Sequence, residues 1–431
     1  MTRFDVVVVG GGPAGIAAAS SAAGRGAHVA LVDEGAAPGG QIWREGIHAK
    51  PIRAADVRKA RLAASSAQLI WSTSIVDVKR DRDGFTLLAE GEREPMVLHA
   101  RAIVIATGAR ERFLPFPGWT LPNVVGVGGV QALLKAGMSV RGKRIVIAGS
   151  GPLLLPVAAS LAKAGARLGV VAEQAPFASL ARYTASLWRS PGLLAQAARL
   201  RASFLGARYA TGTWVMRAEG DAHVERVTIT DGARSTTHDC DVLCVAFGLT
   251  PNTELARLLG CEIRRGSVVV DDTQQTSIPN VFCAGEPTGI GGVDLALVEG
   301  EIAGASSGGG RATAEQQRRR SVLRAYAERL DASFALRAEL RTLATSETLV
   351  CRCEDVSLGA LQSTWSSRQA KLYTRAGMGA CQGRVCGAAL EFVFGWSSDS
   401  VRPPILPARV SSLIAAAPGG SGEQPPSGVP Q

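Results

Sequence analysis

Apolar and polar positions along the chain fall into two rhythms: short β-branched runs and longer stretches with helical spacing. The first run, Val6 to Val9, is of the kind that fills a buried parallel strand. It stops at a glycine-rich turn. An alanine-rich stretch that reads as a helix follows, broken at Gly24 and Gly26, and a second apolar run spans Val29 to Val32. Residues 54 to 68 predict an amphipathic helix. Residues 75 to 104 alternate in β fashion around a turn at Asp83-Gly84, and Ile103 to Ile105 reads as a short buried strand. A proline-rich loop, Leu114 to Pro122, predicts a crossing between domains. The strand–turn–helix pattern then returns. Ile145 to Ala148 is a strand, a helix runs to about Gly165, and Leu168 to Ala172 is the next strand. β alternation resumes over residues 208 to 230, and Val242 to Phe247 mirrors the run at Ile103. Val281 to Glu286 predicts a strand ending at an acid, and residues 295 to 305 a helix. Residues 308 to 314 form a small polar linker, and 315 to 343 an arginine-rich helical stretch. The tail from Ala417 has no means of packing and is expected to be disordered. The fold class expected from this order is α/β, with two dinucleotide-binding Rossmann-like units and a small C-terminal four-cysteine domain.

The turn after the first strand reads Gly10-Gly11-Gly12-Pro13-Ala14-Gly15, a GxGxxG with Gly10, Gly12 and Gly15 in the three places. The first glycine allows the tight turn, the second lets a pyrophosphate approach the backbone, and the third lets helix and strand pack closely. The pyrophosphate would sit on free N–H groups at the positive end of the helix. Asp33, 18 residues past Gly15, ends the second strand where a carboxylate can accept from ribose hydroxyls, with Glu34 beside it. Strand, turn, helix, strand and acid together point to an adenine dinucleotide, without deciding between NAD and FAD. A loop bearing Gly40 and Gln41 leaves the second strand. In the second unit Gly149-Ser150-Gly151 is the turn and Glu173 the acid, but Leu154 takes the third glycine position. NAD or another adenine nucleotide is the candidate ligand there. The alternative is a unit that keeps the fold and reacts with no nicotinamide.

Length and charge narrow the field. At 431 residues the chain is too long for one ordinary domain. A formal charge of +10 is spread along the sequence, densest at Arg318-Arg319-Arg320. No nucleic-acid motif accompanies it, so a solvated basic surface or a face for an acidic partner subunit is the expectation. No apolar stretch reaches the ~20 residues that span a bilayer, and the first strand begins too near Met1 for a signal peptide. A cytoplasmic protein is expected.

Eight cysteines are present, four of them within Cys351 to Cys386. Cys351 and Cys353 form CxC. After 27 residues, Cys381 and Cys386 form Cx4C in a glycine-rich loop. Four thiolates from two short loops can enclose a soft metal or a [2Fe–2S] cluster, with four-cysteine zinc as the structural alternative. Cys240, Cys244, Cys261 and Cys283 read as small core residues. The five histidines sit in contexts that mark none as a general base.

These pieces together resemble the flavoproteins with two dinucleotide-binding domains, the group of thioredoxin reductase and glutathione reductase, over residues 4 to 305. The resemblance implies FAD on Gly10, Gly12, Pro13, Ala14, Gly15 and Asp33. It also implies that the turns Ala106-Thr107-Gly108 and Gly248 link the FAD domain to an inserted domain, and that Gly285-Glu286 lies at the ribityl chain. No cysteine precedes Cys240, so the redox pair that disulfide reduction needs beside the flavin is missing and that activity is rejected. The four-cysteine segment resembles the [2Fe–2S] domain of bacterioferritin-associated ferredoxin, which closes with Cx2C where this chain has Cx4C. Over residues 4 to about 415, the phrases FPGWTLPNV, GSGPLLLPVA, KLYTRAGMGACQGRVCG and VRPPILPARV resemble the α subunits of bacterial amine and amino-acid dehydrogenase complexes. That group includes opine oxidase, D-hydroxyproline dehydrogenase, hydrogen cyanide synthase and heterotetrameric sarcosine oxidase. The resemblance implies an FAD-containing electron-transfer subunit. Its partners would be an FAD-containing β subunit that oxidises the C–N bond and a small ferredoxin-like γ subunit. The implied domains are 1–115 with 245–310 for FAD, an inserted NAD-type unit at 116–244 and a helical linker at 311–345. A [2Fe–2S] domain at 346–396 and an extended, disordered tail at 397–431 complete them. Two rivals stand beside this reading: a self-contained NAD(P)H:acceptor oxidoreductase, and a scaffold or sensor with structural FAD.

Overall fold

The computed structural model describes residues 2–44, 53–92, 94–189, 191–397 and 401–415. The β-branched run that opens the chain becomes the strand Thr2–Val9, parallel to Val29–Val32 on one side and to Pro95–Ile105 on the other. The sheet reads Gln68–Ile70, Val29–Val32, Thr2–Val9, Pro95–Ile105, Gly84–Glu90, Ser74–Asp81, and Val281–Cys283 joins the inner half of Pro95–Ile105. Val6, Val8, Leu31 and Val104 face the helix Pro13–Ala23, whose alanines are buried almost throughout. Small residues are needed there because a second helix, Val293–Ser307, crosses it at backbone contact. A Cβ on Gly300 or Gly304 would stand 2.2 Å from the carbonyl oxygen of Ala14 or Ala18.

A second parallel sheet orders Arg208–Thr211, Arg167–Glu173, Arg144–Gly149, Val242–Ala246 and Val124–Gly126. A three-stranded antiparallel sheet (Trp214–Glu219, Arg226–Thr230, Ser235–Asp239) covers one side of it. The chain enters and leaves this unit through two short strands, Ala109–Glu111 and Leu249–Pro251, which pair antiparallel. The four-cysteine segment packs against the same crossing. Trp119 Nε1 donates to Leu349 O at 2.6 Å, and Ala389, Val385 and Phe392 join the apolar core of the second unit.

Three stretches depart from the sequence reading. The helix expected over 54–68 ends at Ala63, and Gln68–Ile70 becomes an edge strand. The helical stretch expected over 315–343 is a helix only to Ser333. It then runs without regular structure past Phe334 to Arg337 before a 3-10 turn at Ala338–Thr342. No glycine or proline marks that break, and contacts with the second unit make it. The tail read as extended and disordered from 397 is pinned over 401–415. Ile405 is buried and its N–H donates to Val76 O, Arg409 pairs with Glu90, and Val410–Ala415 is helical. Residues 398–400 and 416–431 of that tail lie outside the described residues.

Candidate functional site

The first glycine turn is shaped by contacts that no side chain could share. Gly10 has φ +112, and a Cβ on it would stand 2.2 Å from Ala106 O. A Cβ on Gly15 would stand 1.7 Å from Gly10 O. Gly12 faces nothing within 4 Å, so its side of the turn is open. Gly12 caps the helix without a side-chain hydrogen bond, Pro13 has no N–H to offer, and the N–H groups of Ala14 and Gly15 are left at the positive helix end. Asp33 is half-buried and accepts from Gly11 N at 2.5 Å and Gly35 N at 2.7 Å. These bonds fix its carboxylate beside the turn while leaving further lone pairs for a ribose. Gly40 folds back to Gly12, and Gly39 N donates to Gly11 O. Glu34 and Gln41 are exposed at the rim.

The other candidate flavin residues gather around this turn. Gly285 N donates to Glu299 Oε2 at 3.0 Å, and Gly285 lies against Ala14. Glu286 accepts from Gly291 N and Gly292 N, both at 3.0 Å, just before the helix Val293–Ser307. Burial pushes its carboxyl above the usual range, and those two N–H groups oppose the shift. Thr107 Oγ1 donates to Asn252 O, Asn252 Nδ2 returns a bond to Thr107 O, and Asn252 N donates to Gly108 O. Gly248 O accepts from Arg112 N at the paired crossing. An open glycine turn, free helix N–H groups and an oriented acid fit the ADP half of FAD.

Sequence reasoning missed the residues that hold these pieces in place. Glu299 is fully buried in the helix Val293–Ser307. It accepts from Thr288 Oγ1 at 2.8 Å and Gly285 N, and it pairs with Arg324. Arg110 donates to Asn252 Oδ1 at 2.6 Å, pairs with Glu254 at 2.8 Å, and donates through Nε to Arg384 O at 3.0 Å. Arg384 stands between Cys381 and Cys386, so one side chain joins the Thr107 turn to the four-cysteine loop. Asn252 and Arg384 lie 142 and 274 residues from Arg110 in sequence, and nothing local signals either bond.

Cys351, Cys353, Cys381 and Cys386 come close enough to act on one another: the Cys353 thiol is influenced by Cys381 and Cys351, and the Cys386 thiol by Cys351 and Cys381. Gly377 N donates to Cys351 Sγ at 3.4 Å. Burial works to raise the Cys381 thiol, but N–H groups of Val385, Gly383 and Arg384 and the Cys353 thiol outweigh it and leave it below its usual value. Cys386 is raised by burial. Among the described residues, no three His, Cys, Asp or Glu side chains are gathered as they would be around a single metal ion. Cys240, Cys244, Cys261 and Cys283 are buried, with thiols raised by burial.

The second turn is built differently. Its third position is Leu154, fully buried at the start of the helix Leu154–Lys163. Glu173 is also fully buried, and its oxygens accept from Gly151 N at 2.9 Å and Ala175 N at 2.8 Å. Burial pushes its carboxyl up to about 7 against those bonds.

Residues 4–301 match the pyridine nucleotide-disulphide oxidoreductase family. The chain belongs to this family. It shares the family's two Rossmann-like units, and the family implies FAD. The chain is similar to hydrogen cyanide synthase subunit HcnB of Pseudomonas aeruginosa, at 33% identity over 92% of each chain. It is also similar to the A subunit of opine oxidase from Rhizobium meliloti, at 32% identity over 96% of this chain and 99% of that one. Among solved structures, L-proline dehydrogenase from P. horikoshii aligns with a TM-score of 0.65 at 22% identity, over 96% of this chain and 79% of that one. That likeness carries the fold. The family and relatives point to a flavin-dependent oxidoreductase. No helix among the described residues is long and apolar enough to cross a membrane.

Proposed function

We propose that the chain is the FAD-containing electron-transfer subunit of a multi-subunit dehydrogenase or oxidase acting on secondary amines or amino acids. The observation that carries this reading is the link from the Thr107 turn through Asn252 and Arg110 to Arg384, inside the four-cysteine loop. A site that takes electrons on a flavin and passes them on needs a second carrier held close by. Four thiols from two loops are the donor set of a [2Fe–2S] cluster, which takes two cysteines on each iron, and N–H groups directed at the sulfurs suit an anionic cluster. The flavin supplies two-electron acceptance and the cluster one-electron transfer. This chain's part is to hold both and to fix their separation.

The relatives named as subunits support placing the chain in a complex. On this reading a partner subunit with its own FAD oxidises the C–N bond. Among the described residues no histidine is positioned as a base. His28 Nδ1 is bonded to Arg3 O, His99 and His238 lie on strands against threonines, and His223 is exposed. Residues 1–115 and 245–310 hold the flavin, and 346–396 the cluster.

The test is made on the chain purified alone without oxygen. The expected result is one flavin with about two irons and two acid-labile sulfides per chain, unbleached by NADH and reduced when the amine-oxidising partner and its substrate are added. Zinc in place of iron removes the relay. Rapid bleaching by NADH makes the chain a self-contained NADH oxidoreductase.

A further inference from the structure

In a Rossmann unit the dinucleotide lies across the carboxyl ends of the strands, with its pyrophosphate on the glycine turn and its ribose at the acid that ends the second strand. In the second unit those places are Gly149-Ser150-Gly151 and Glu173. The chain's own segment Phe334–Arg337 is bonded into both. Ser150 Oγ, between the two glycines, donates to Phe334 O at 3.0 Å. Gln174, next to the acid, donates through Nε2 to Ser150 Oγ at 2.8 Å and to Ala335 O at 3.0 Å, and it accepts from Arg337 N at 3.1 Å. The Arg337 guanidinium donates to Gln174 O and Gly212 O and stacks 3.8 Å from the Trp214 ring centroid. Phe334 meets Tyr183 edge to face, and Tyr183 is hydrogen-bonded to Tyr326 of the preceding helix. As a result Ser150 and Gln174 are buried although they stand at the mouth of the unit.

We propose that this segment is an internal strap seated where the adenosine half of a dinucleotide would lie, so that strap and nucleotide compete for one place. The strap meets polar groups that a nucleotide would otherwise satisfy. Its peptide carbonyls take the Ser150 hydroxyl and the Gln174 amide, and the Arg337 side chain takes the Gly212 and Gln174 carbonyls. This explains why the helix ends at Ser333 without a breaking residue. The proposal concerns binding at the second unit, and it stands or falls separately from the relay reading.

The experiment is equilibrium dialysis of the whole protein against NADH and NADPH at about 1 mM, the weak end of specific binding. It is paired with hydrogen exchange at the amides of 334–337. The wild type is expected to hold neither nucleotide. Arg337→Ala, which removes the guanidinium bonds to Gln174 O and Gly212 O, is expected to tighten NADH binding by about tenfold or more, and Phe334→Ala, which removes the ring contact with Tyr183 and keeps the carbonyl bonded to Ser150, to tighten it less. Wild-type binding accompanied by faster exchange at 334–337 also supports competition, with the strap displaced. Wild-type binding that leaves those amides protected overturns the proposal. So does a strap variant whose 334–337 amides exchange freely while NADH still fails to bind.

Discussion

The two dinucleotide units share a strand–turn–helix–strand plan, and each aims its acid at the glycine turn. The second glycine of each turn, Gly12 or Gly151, has nothing within 4 Å on its Cβ side, but in the first unit the acid, Asp33, is only half-buried. In the second, Glu173 is sealed, Leu154 fills the approach of helix to strand, and a strap of the same chain crosses the mouth. If the strap competes as proposed, acid, glycines and topology do not by themselves make a ligand site. What separates the units is whether the polar groups at the turn are left for a ligand or are already taken by protein.

The largest effect should come from carrying the difference in one direction. Gly15→Leu gives the first unit the residue type of the second, at a position where even a Cβ would stand 1.7 Å from a backbone oxygen. The expected outcome is protein that folds poorly or without colour, with flavin content per chain near zero after desalting. The reverse change, Leu154→Ala, should be milder. It removes a fully buried side chain and should lower stability by about 2–5 kcal/mol. With the strap in place it should not create NADH binding, which denaturant titration and dialysis would check together. Gain of tight NADH binding from Leu154→Ala alone would locate the difference in the leucine rather than the strap.

The smallest effect concerns the sealed acid. Glu173 keeps its proton in the folded chain up to about pH 7, whereas the unfolded carboxyl releases it near its ordinary value of 4.5. The folded state therefore binds more protons between those values, and its stability falls as pH rises through them. The change is on the order of 3 kcal/mol or less. Glu173→Gln should flatten that slope, seen as a smaller difference between denaturation midpoints at pH 5 and pH 8. An unchanged slope would mean that the acid is ionised in the folded chain.

The first unit was legible because its signals are local: a strand, three glycines, a helix and an acid, all between Phe4 and Asp33. The second unit was legible as a plan, down to the leucine in the third glycine place, but its closure was not. Phe334 of the strap lies 184 residues downstream of Ser150 in the turn. The bonds between them run mainly through backbone carbonyls, which carry no residue signature. Arg110 and Arg384 escaped notice for the same reason, as two arginines among many until the fold sets one against the carbonyl of the other. The four cysteines were visible as a spacing, while their meeting depends on how the two loops come together.

The pinned stretch 401–415 bears on how the molecule behaves in company. Ser74–Asp81 is the outermost strand of the first sheet, and an open strand edge invites another chain to pair with it. Ile405 donates its N–H to Val76 on that strand and buries its side chain there, while Arg409 clasps Glu90 on the neighbouring strand. Residues 401–415 thus serve as a selvedge. A protein cut before Val401 would keep both glycine turns and all four thiols yet carry a raw hem, and its failing would be clumping rather than lost chemistry.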